Sequence, residues 1–329
     1  MVTKIFLVRH AEAEGNLFRM AHGQYNSNLT PRGYCQLHYL RQRFQDVHLD
    51  AVYGSDLIRA HATASALYVP RNLPFQPLPL LREVRLGDWE ERTWAEIKRR
   101  TPEMYSWFNK RPDLWHVEGA ETFPTVAART VEGIRRIAAE NPGKTVAATS
   151  HGAAMRILLG TLEGMSLQEI GGSGHSDNTA VSLLEVEGDT IRVIFRDDAS
   201  HVPPEYSTFR RQKWYEADSD EDFWFVPLAA EDGMVLQAML GDRASGQVAF
   251  RREADAMRIT SYTIDPQLRG RHLGVQLLGQ AVKYARRQGL ETLVLACPDG
   301  LRNYFAKYGF ESAGADMTMD LRPAIREVP

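Results

Sequence analysis

Cysteine is scarce in this chain of 329 residues, Cys35 and Cys297 being the only two. Two thiols so far apart in sequence supply neither a disulfide framework nor a zinc site, and they suit a reducing compartment. Charge of one sign is lacking as well, the formal net charge being -3. So nearly neutral a chain spreads no basic field for nucleic acid and carries no polybasic patch for a membrane, and neither is expected as a partner. No apolar run approaches the length of a membrane span, and Met1-Val2-Thr3-Lys4 leads into an apolar segment without a signal-peptide pattern, so a cytoplasmic location is expected. The remaining composition, 43% apolar, is that of an ordinary soluble protein with length for about two domains.

What the chain does have is a compact stretch near its start. Ile5, Phe6, Leu7 and Val8 suit a strand buried on both faces, and the apolar run stops at Arg9 and His10. In an open α/β sheet ligands gather outside the carboxyl ends of the strands, so a guanidinium and an imidazole emerging there predict an anion site, with phosphate the natural anion. Arg9-His10-Ala11-Glu12, with Asn16 following, resembles the opening motif of the histidine phosphatase superfamily, also called the phosphoglycerate mutase-like family. The resemblance implies a phosphoryl-transfer enzyme in which His10 is the nucleophile and becomes a phosphohistidine, while Arg9 and Asn16 bind phosphate. Ala11 stands where the family usually has Gly, and it is small enough to let the chain turn close to the phosphate.

Farther on, Thr30 and Pro31 open a helix as N-cap and first residue. The polar loop before it, Gly23-Gln24-Tyr25-Asn26, corresponds to a substrate loop of the family and makes Gln24 a candidate phosphate contact. A short strand at Ala51-Val52-Tyr53 leads into Gly54-Ser55-Asp56, where Ser55 or Asp56 can cap the next helix. Arg59, Ala60, Thr63 and Ala64 match the family's second arginine segment, which implies that Arg59 binds phosphate. Leu81 to Glu90 resembles the segment that carries the proton donor, and Glu83 takes that position. A carboxyl donates near neutrality only when burial or a neighbouring anion lets it hold its proton, and a bound phosphate ester is such an anion. Residues 92 to 117, rich in aromatic and basic side chains, look like the family's variable cap, able either to shape the pocket or simply to pack. The strand Thr145 to Thr149 ends at Ser150-His151-Gly152 before an apolar helix, which places His151 beside the amides of a helix N-terminus. It resembles the family's second histidine, a phosphate contact.

The resemblance covers Met1 to about Pro204. Because a phosphoryl group in transfer carries its charge on three equatorial oxygens, Arg9, Arg59, His151 and Asn16 suffice to stabilise it, and no metal is expected. The same cations keep His10 neutral, the form that attacks. Asn178 to Leu184 and Arg192 to Phe195 read as two closing strands around the turn Glu187-Gly188-Asp189. Pro203-Pro204 and the acidic run Asp218 to Asp222 mark the boundary, with Trp214 and Trp224 available to pack on either side.

The remainder carries a strand from Ile259 to Ile264, a basic glycine turn and a helix bearing Leu277, Leu278, Val282 and Ala285. Arg269, Gly270, Arg271, His272, Leu273 and Gly274 form a cradle of amides at a helix N-terminus, with Ile264 ending the strand before it, which suits a pyrophosphate. This resembles the acyl-CoA loop of the GCN5-related N-acetyltransferases (GNAT family), as Tyr304 to Phe310 resembles that family's last helix and turn. The resemblance implies acetyl-CoA as cosubstrate, although His272 replaces the first loop glycine and the early helices of the fold look reduced. Phe305 occupies the position of the Tyr that protonates the departing thiolate in many members, and Pro298 stands near the place of an Asn that contacts CoA. The expected architecture is therefore α/β: a three-layer α/β/α histidine phosphatase fold over 1-205 and an α+β GNAT-like fold over 206-329. The expected activity is a metal-independent phosphatase acting on a small phosphorylated metabolite. The alternatives are a phosphoglycerate-type mutase and, for the second half, a CoA-binding or structural module.

Overall fold

The computed structural model describes residues 1–211, 222–230 and 233–326. Its first half is a six-stranded sheet in the order β3-β2-β4-β1-β5-β6. The strands are β1 (Thr3–Arg9), β2 (Ala51–Gly54), β3 (Phe75–Pro77), β4 (Thr145–Ser150), β5 (Val181–Glu187) and β6 (Thr190–Asp198). Interspersed are α1 (Glu14–Phe18), α2 (Pro31–Arg43), α3 (Ile58–Tyr68), α4 (Trp94–Arg100), α5 (Pro102–Lys110), α6 (Phe123–Glu140), α7 (Gly152–Leu162), α8 (Leu167–Gly172) and α9 (Thr208–Arg211).

The alternation along β1 builds the layers. Val8 and Phe6 pack with Leu37 and Leu40 of α2 and Leu67 of α3, whereas Ile5 and Leu7 pack with Ile134 of α6 and Leu158 of α7. Leu7 has no exposed surface, so Leu7→Ala would cost about 2–5 kcal/mol through lost burial and the cavity left behind. Since β1, β2 and β4 pair in parallel, with Arg9 opposite Ser150 and Gly54 opposite Thr149, their carboxyl ends meet along one edge.

The caps hold in part. Thr30 caps α2, its hydroxyl accepting from the Gly33 amide. α3, by contrast, starts later than its sequence suggests and Leu57 occupies the cap position without a side-chain bond. The reason is that Ser55 and Asp56 are engaged elsewhere, Ser55 with the Leu57 amide and with His151, Asp56 with Arg82.

The second half is a seven-stranded sheet, order β12-β13-β11-β10-β9-β8-β7. Its elements are β7 (Phe223–Ala230), β8 (Gly233–Leu240), β9 (Arg243–Glu253), β10 (Ala256–Ile264), α10 (Leu273–Arg287), β11 (Thr292–Ala296), α11 (Arg302–Ala306), β12 (Glu311–Ala313) and β13 (Asp316–Asp320). Only residues 231–232 separate β7 from β8, which pair directly, and among the described residues no helix stands between these first two strands. Within this sheet β10 and β11 are parallel. Their pairing ends at Ile259 and Leu295 while β10 continues along β9 to Ile264, so the two strands part beside the start of α10. Trp224 bonds the Gly241 carbonyl and lies under Arg99 of α4, at the seam between the halves. Trp214 and residues 218–221 fall outside the described residues.

Candidate functional site

The edge where β1, β2 and β4 end opens into a cavity of about 210 Å³. Arg9, His10, Asn16, Arg59 and Glu83 all line it. His10 is 3% exposed and its Nδ1 lies 2.7 Å from the Ala11 carbonyl oxygen. A carbonyl only accepts, so Nδ1 carries the hydrogen and the neutral ring keeps its lone pair on Nε2. Burial first, then the guanidiniums of Arg59 and Arg9, push the His10 pKa well below its ordinary value. The Ala11 amide is tied in turn to the Thr63 hydroxyl, which bonds the Arg59 carbonyl and so couples the two arginine-bearing segments.

Arg59 is 1% exposed and donates to the carbonyls of Tyr25 and Gly23, while its Nε has no hydrogen-bond partner. Burial lowers its pKa to about 10, which still leaves it cationic at neutral pH. Arg9 donates to the Ser176 carbonyl and lies over the Phe209 ring, its Nε likewise unpaired. Asn16 accepts the Ala13 amide through its side-chain oxygen, which leaves its NH₂ group to donate.

Glu83 receives the amides of Val84, Ala153 and Ala154 at 2.9, 3.2 and 2.8 Å. Its carboxylate thus occupies the start of α7, the helix terminus expected to face a phosphate. His151 is fully buried just behind His10, with ring centroids 5.3 Å apart, rather than on the cavity wall. Its Nε2 is 2.8 Å from the Ser55 hydroxyl, and burial followed by the Arg59 charge pushes its pKa well below the ordinary value. Gln24 is not brought into the cavity: its NH₂ donates to the Glu83 carbonyl and the Glu121 carboxylate, so it props the loop that carries Glu83.

The sequence reading missed Arg156. It lies on α7, is 4% exposed, lines the same cavity, and keeps Nε and Nη2 without hydrogen-bond partners, while Nη1 donates to Asn109 and Gly171. Its pKa is lowered to about 10 by burial, partly offset by Glu83. A lone Arg inside Met155-Arg156-Ile157-Leu158-Leu159 was the available signal, since a charge in an apolar helix needs a partner or a ligand. Trp94, Tyr105 and Phe108 complete that end of the cavity, whereas Trp89, Trp115 and Phe123 pack beneath them, so the cap both shapes the pocket and forms core.

In the second half, the residues proposed for acyl-CoA lie together between β10 and α10. Gly270 has φ +78° and His272, at the head of α10, has φ +57°, with no side chain capping the helix. The turn therefore presents amides at a helix terminus, as an anion cradle requires. The hydroxyls of Tyr262 and Tyr304 are 3.2 Å apart, and a Cβ on Gly274 would come within 2.9 Å of the first and 3.5 Å of the second. Phe305, in contrast, is buried among Tyr262, Tyr304 and Phe310.

Known proteins resemble this chain in sequence and fold. The family pattern of the histidine phosphatase superfamily (branch 1) matches residues 5–198, and that of the acetyltransferase (GNAT) family matches residues 190–310. Phosphoserine phosphatase 1 of Hydrogenobacter thermophilus is 28% identical over 186 residues, 56% of this chain and 88% of that protein. The metal-independent phosphoserine phosphatase of Arabidopsis thaliana is 28% identical over 207 residues, 61% of this chain and 84% of that protein. Among solved structures, Bacillus stearothermophilus YhfR superposes with a TM-score of 0.59 at 31% identity, covering 61% of this chain and 100% of that one.

Proposed function

Because the chain belongs to the histidine phosphatase superfamily and carries a GNAT-family domain behind it, we propose that it is a metal-independent phosphomonoesterase working through a phosphohistidine at His10. The observation that carries this reading is the fixed tautomer of His10: Nδ1 donates to Ala11 and the lone pair of Nε2 stands among buried guanidiniums. Nε2 attacks phosphorus and the ester oxygen leaves with a proton from Glu83. Water, deprotonated by Glu83, then cleaves the P–N bond, releasing phosphate and restoring neutral His10. Arg9, Arg59 and Asn16 donate to the equatorial oxygens as their charge develops, and His151 with Ser55 fixes the ring behind the nucleophile.

The substrate is a small phosphorylated metabolite whose leaving alcohol carries a second anion. Arg156 supports this, since its unpaired Nε and Nη2 are buried at the cavity in the field of Glu83, the residue assigned to the leaving oxygen. In the second half, the amides from Arg269 to Gly274 bind the pyrophosphate of acetyl-CoA, and the buried phenyl of Phe305 supplies no proton for a departing thiolate, so acetyl transfer is slow. Calorimetry with acetyl-CoA tests the binding, and no heat at millimolar ligand would reduce that half to a structural fold.

The test of the main reading is phosphate release from a panel of phosphomonoesters, with and without chelator. The expected result is release unaffected by chelator and strongest for carboxylate-bearing esters, a preference that Arg156→Met removes. Loss of activity with chelator, or isomerisation of a phosphoglycerate without phosphate release, would contradict it.

A further inference from the structure

The turn that carries Asn16 into the phosphate cavity is held by the second half of the molecule. α1 has only five residues, Glu14–Phe18, too few to be stable by itself. Its apolar side chains Leu17 and Phe18, with Met20 just beyond, are buried in the core formed by the seven-stranded sheet and α10, not in the layers of the first sheet. Gly15, Asn16 and Met20 meanwhile line the catalytic cavity. One short segment thus serves as cavity wall on one side and as core of the neighbouring domain on the other.

Two features of α10 fit this docking. Gly279 lies in the interior of the helix, where glycine costs stability relative to alanine, and a Cβ there would stand 2.6 Å from Cβ and Cγ of Phe18. Its absence of a side chain is what lets α1 approach. One face of the helix farther along, spaced by three and four residues, Arg286 donates Nη1 and Nη2 to the two carboxylate oxygens of Glu14 at 2.6 and 2.9 Å. Both partners are largely buried, 11% and 5% exposed as side chains, and Arg286 is fixed from behind by the Leu321 carbonyl. Lys283 and Arg287 of the same helix hold Glu91, next to the Glu90 carboxylate that bonds the amides of Gln24 and Leu86.

We infer that Gly279 and Arg286 are positioning residues for phosphoryl transfer: the acetyltransferase-like domain completes the phosphatase site by setting where Asn16 stands. This rests on the phosphatase reading above. The test uses the full chain and p-nitrophenyl phosphate, with kcat, KM and thermal unfolding measured for Gly279→Ala, Arg286→Gln and Arg286→Lys. Gly279→Ala removes no bond and raises the helix propensity of α10, so it carries the test even if Arg286→Gln does not fold. The expected result is a loss on the order of 10- to 100-fold in kcat at temperatures where the variants are folded. KM should change less, because Arg9 and Arg59 lie on other elements and continue to bind phosphate. Arg286→Lys should recover part of the loss. Folded Gly279→Ala with kcat and KM within about twofold of the unmodified chain would overturn the inference while leaving the phosphatase reading intact. Absence of phosphate release from the unmodified chain would overturn both.

Discussion

The two regions we propose as anion sites draw their positive charge from different sources. At the edge of the first sheet it comes from guanidiniums sealed in the protein, Arg59 at 1% and Arg156 at 4% exposure. At the head of α10 it comes from a turn with two residues at positive φ and an uncapped helix terminus. Buried guanidiniums are costly to desolvate, yet they are pre-aimed at charge that appears only during reaction, where such donors are worth most. A surface cradle of amides costs little and suits the resting diphosphate we propose for it. On the proposed function, the difference separates a region suited to chemistry from one suited to binding.

The sharpest way to break that comparison is through the proton. Glu83→Gln should slow alkyl phosphates by roughly 10²–10⁴-fold and leave activated aryl phosphates nearly untouched, since only poor leaving groups need the acid. Equal losses on both, measured as kcat, would remove Glu83 from that role. Arg59→Met should cost somewhat less, on the order of 10²–10³-fold in kcat, as expected for one lost donor to the transferring group. An unchanged kcat with a raised KM would make Arg59 a ground-state contact only.

Acid separates the halves more gently. His10 and His151 are buried with pKa values held well below the unfolded value near 6.5, so the unfolded chain binds more protons than the folded one. The stabilisation they allow is complete above about pH 6.5 and falls by up to about 1.4 kcal/mol per pH unit for each imidazole below it. The chain from Phe223 onward, which forms the second sheet, has His272 as its sole histidine. Hydrogen exchange between pH 7 and 5 should therefore show protection lost first around β1 and β4, and uniform loss across both sheets would refute this. The smallest effect belongs to the cradle: Gly270→Ala, at φ +78°, should cost roughly 1 kcal/mol of stability and weaken acetyl-CoA binding, with phosphate release unchanged.

Legibility in the sequence followed the same division. Arg9-His10 and Ser150-His151 stand at the ends of β1 and β4 and the Arg59 segment follows β2, so apolar pattern giving way to charge marks them and parallel pairing brings them to one edge, whereas Glu83, beyond the turn that ends at Leu81, is legible only through the family resemblance of Leu81 to Glu90. Gln24 could not be placed, since its loop has no period and its amide turned out to hold Glu83 from outside the cavity. Arg156 was passed over because it lies within an otherwise apolar helix whose pattern reads as core. The seam was illegible for a related reason: Leu17, Phe18 and Met20 look like the apolar residues of any short helix, and nothing local says that their core lies some 260 residues away at Gly279 and beyond. Ser55 and Asp56 do not cap α3, because the Ser55 hydroxyl is taken by the Leu57 amide just before the helix and by His151, and Asp56 is taken by Arg82.

The most direct test of the central claim is to trap the phosphoenzyme. Rapid quenching of the full chain with a phosphorylated substrate, followed by mapping of the modified peptide, should place one phosphoryl group on His10, labile in acid and stable in alkali, and absent from His10→Ala, which should also lose turnover. A phosphoryl group on any other residue, or normal turnover by His10→Ala, would contradict it.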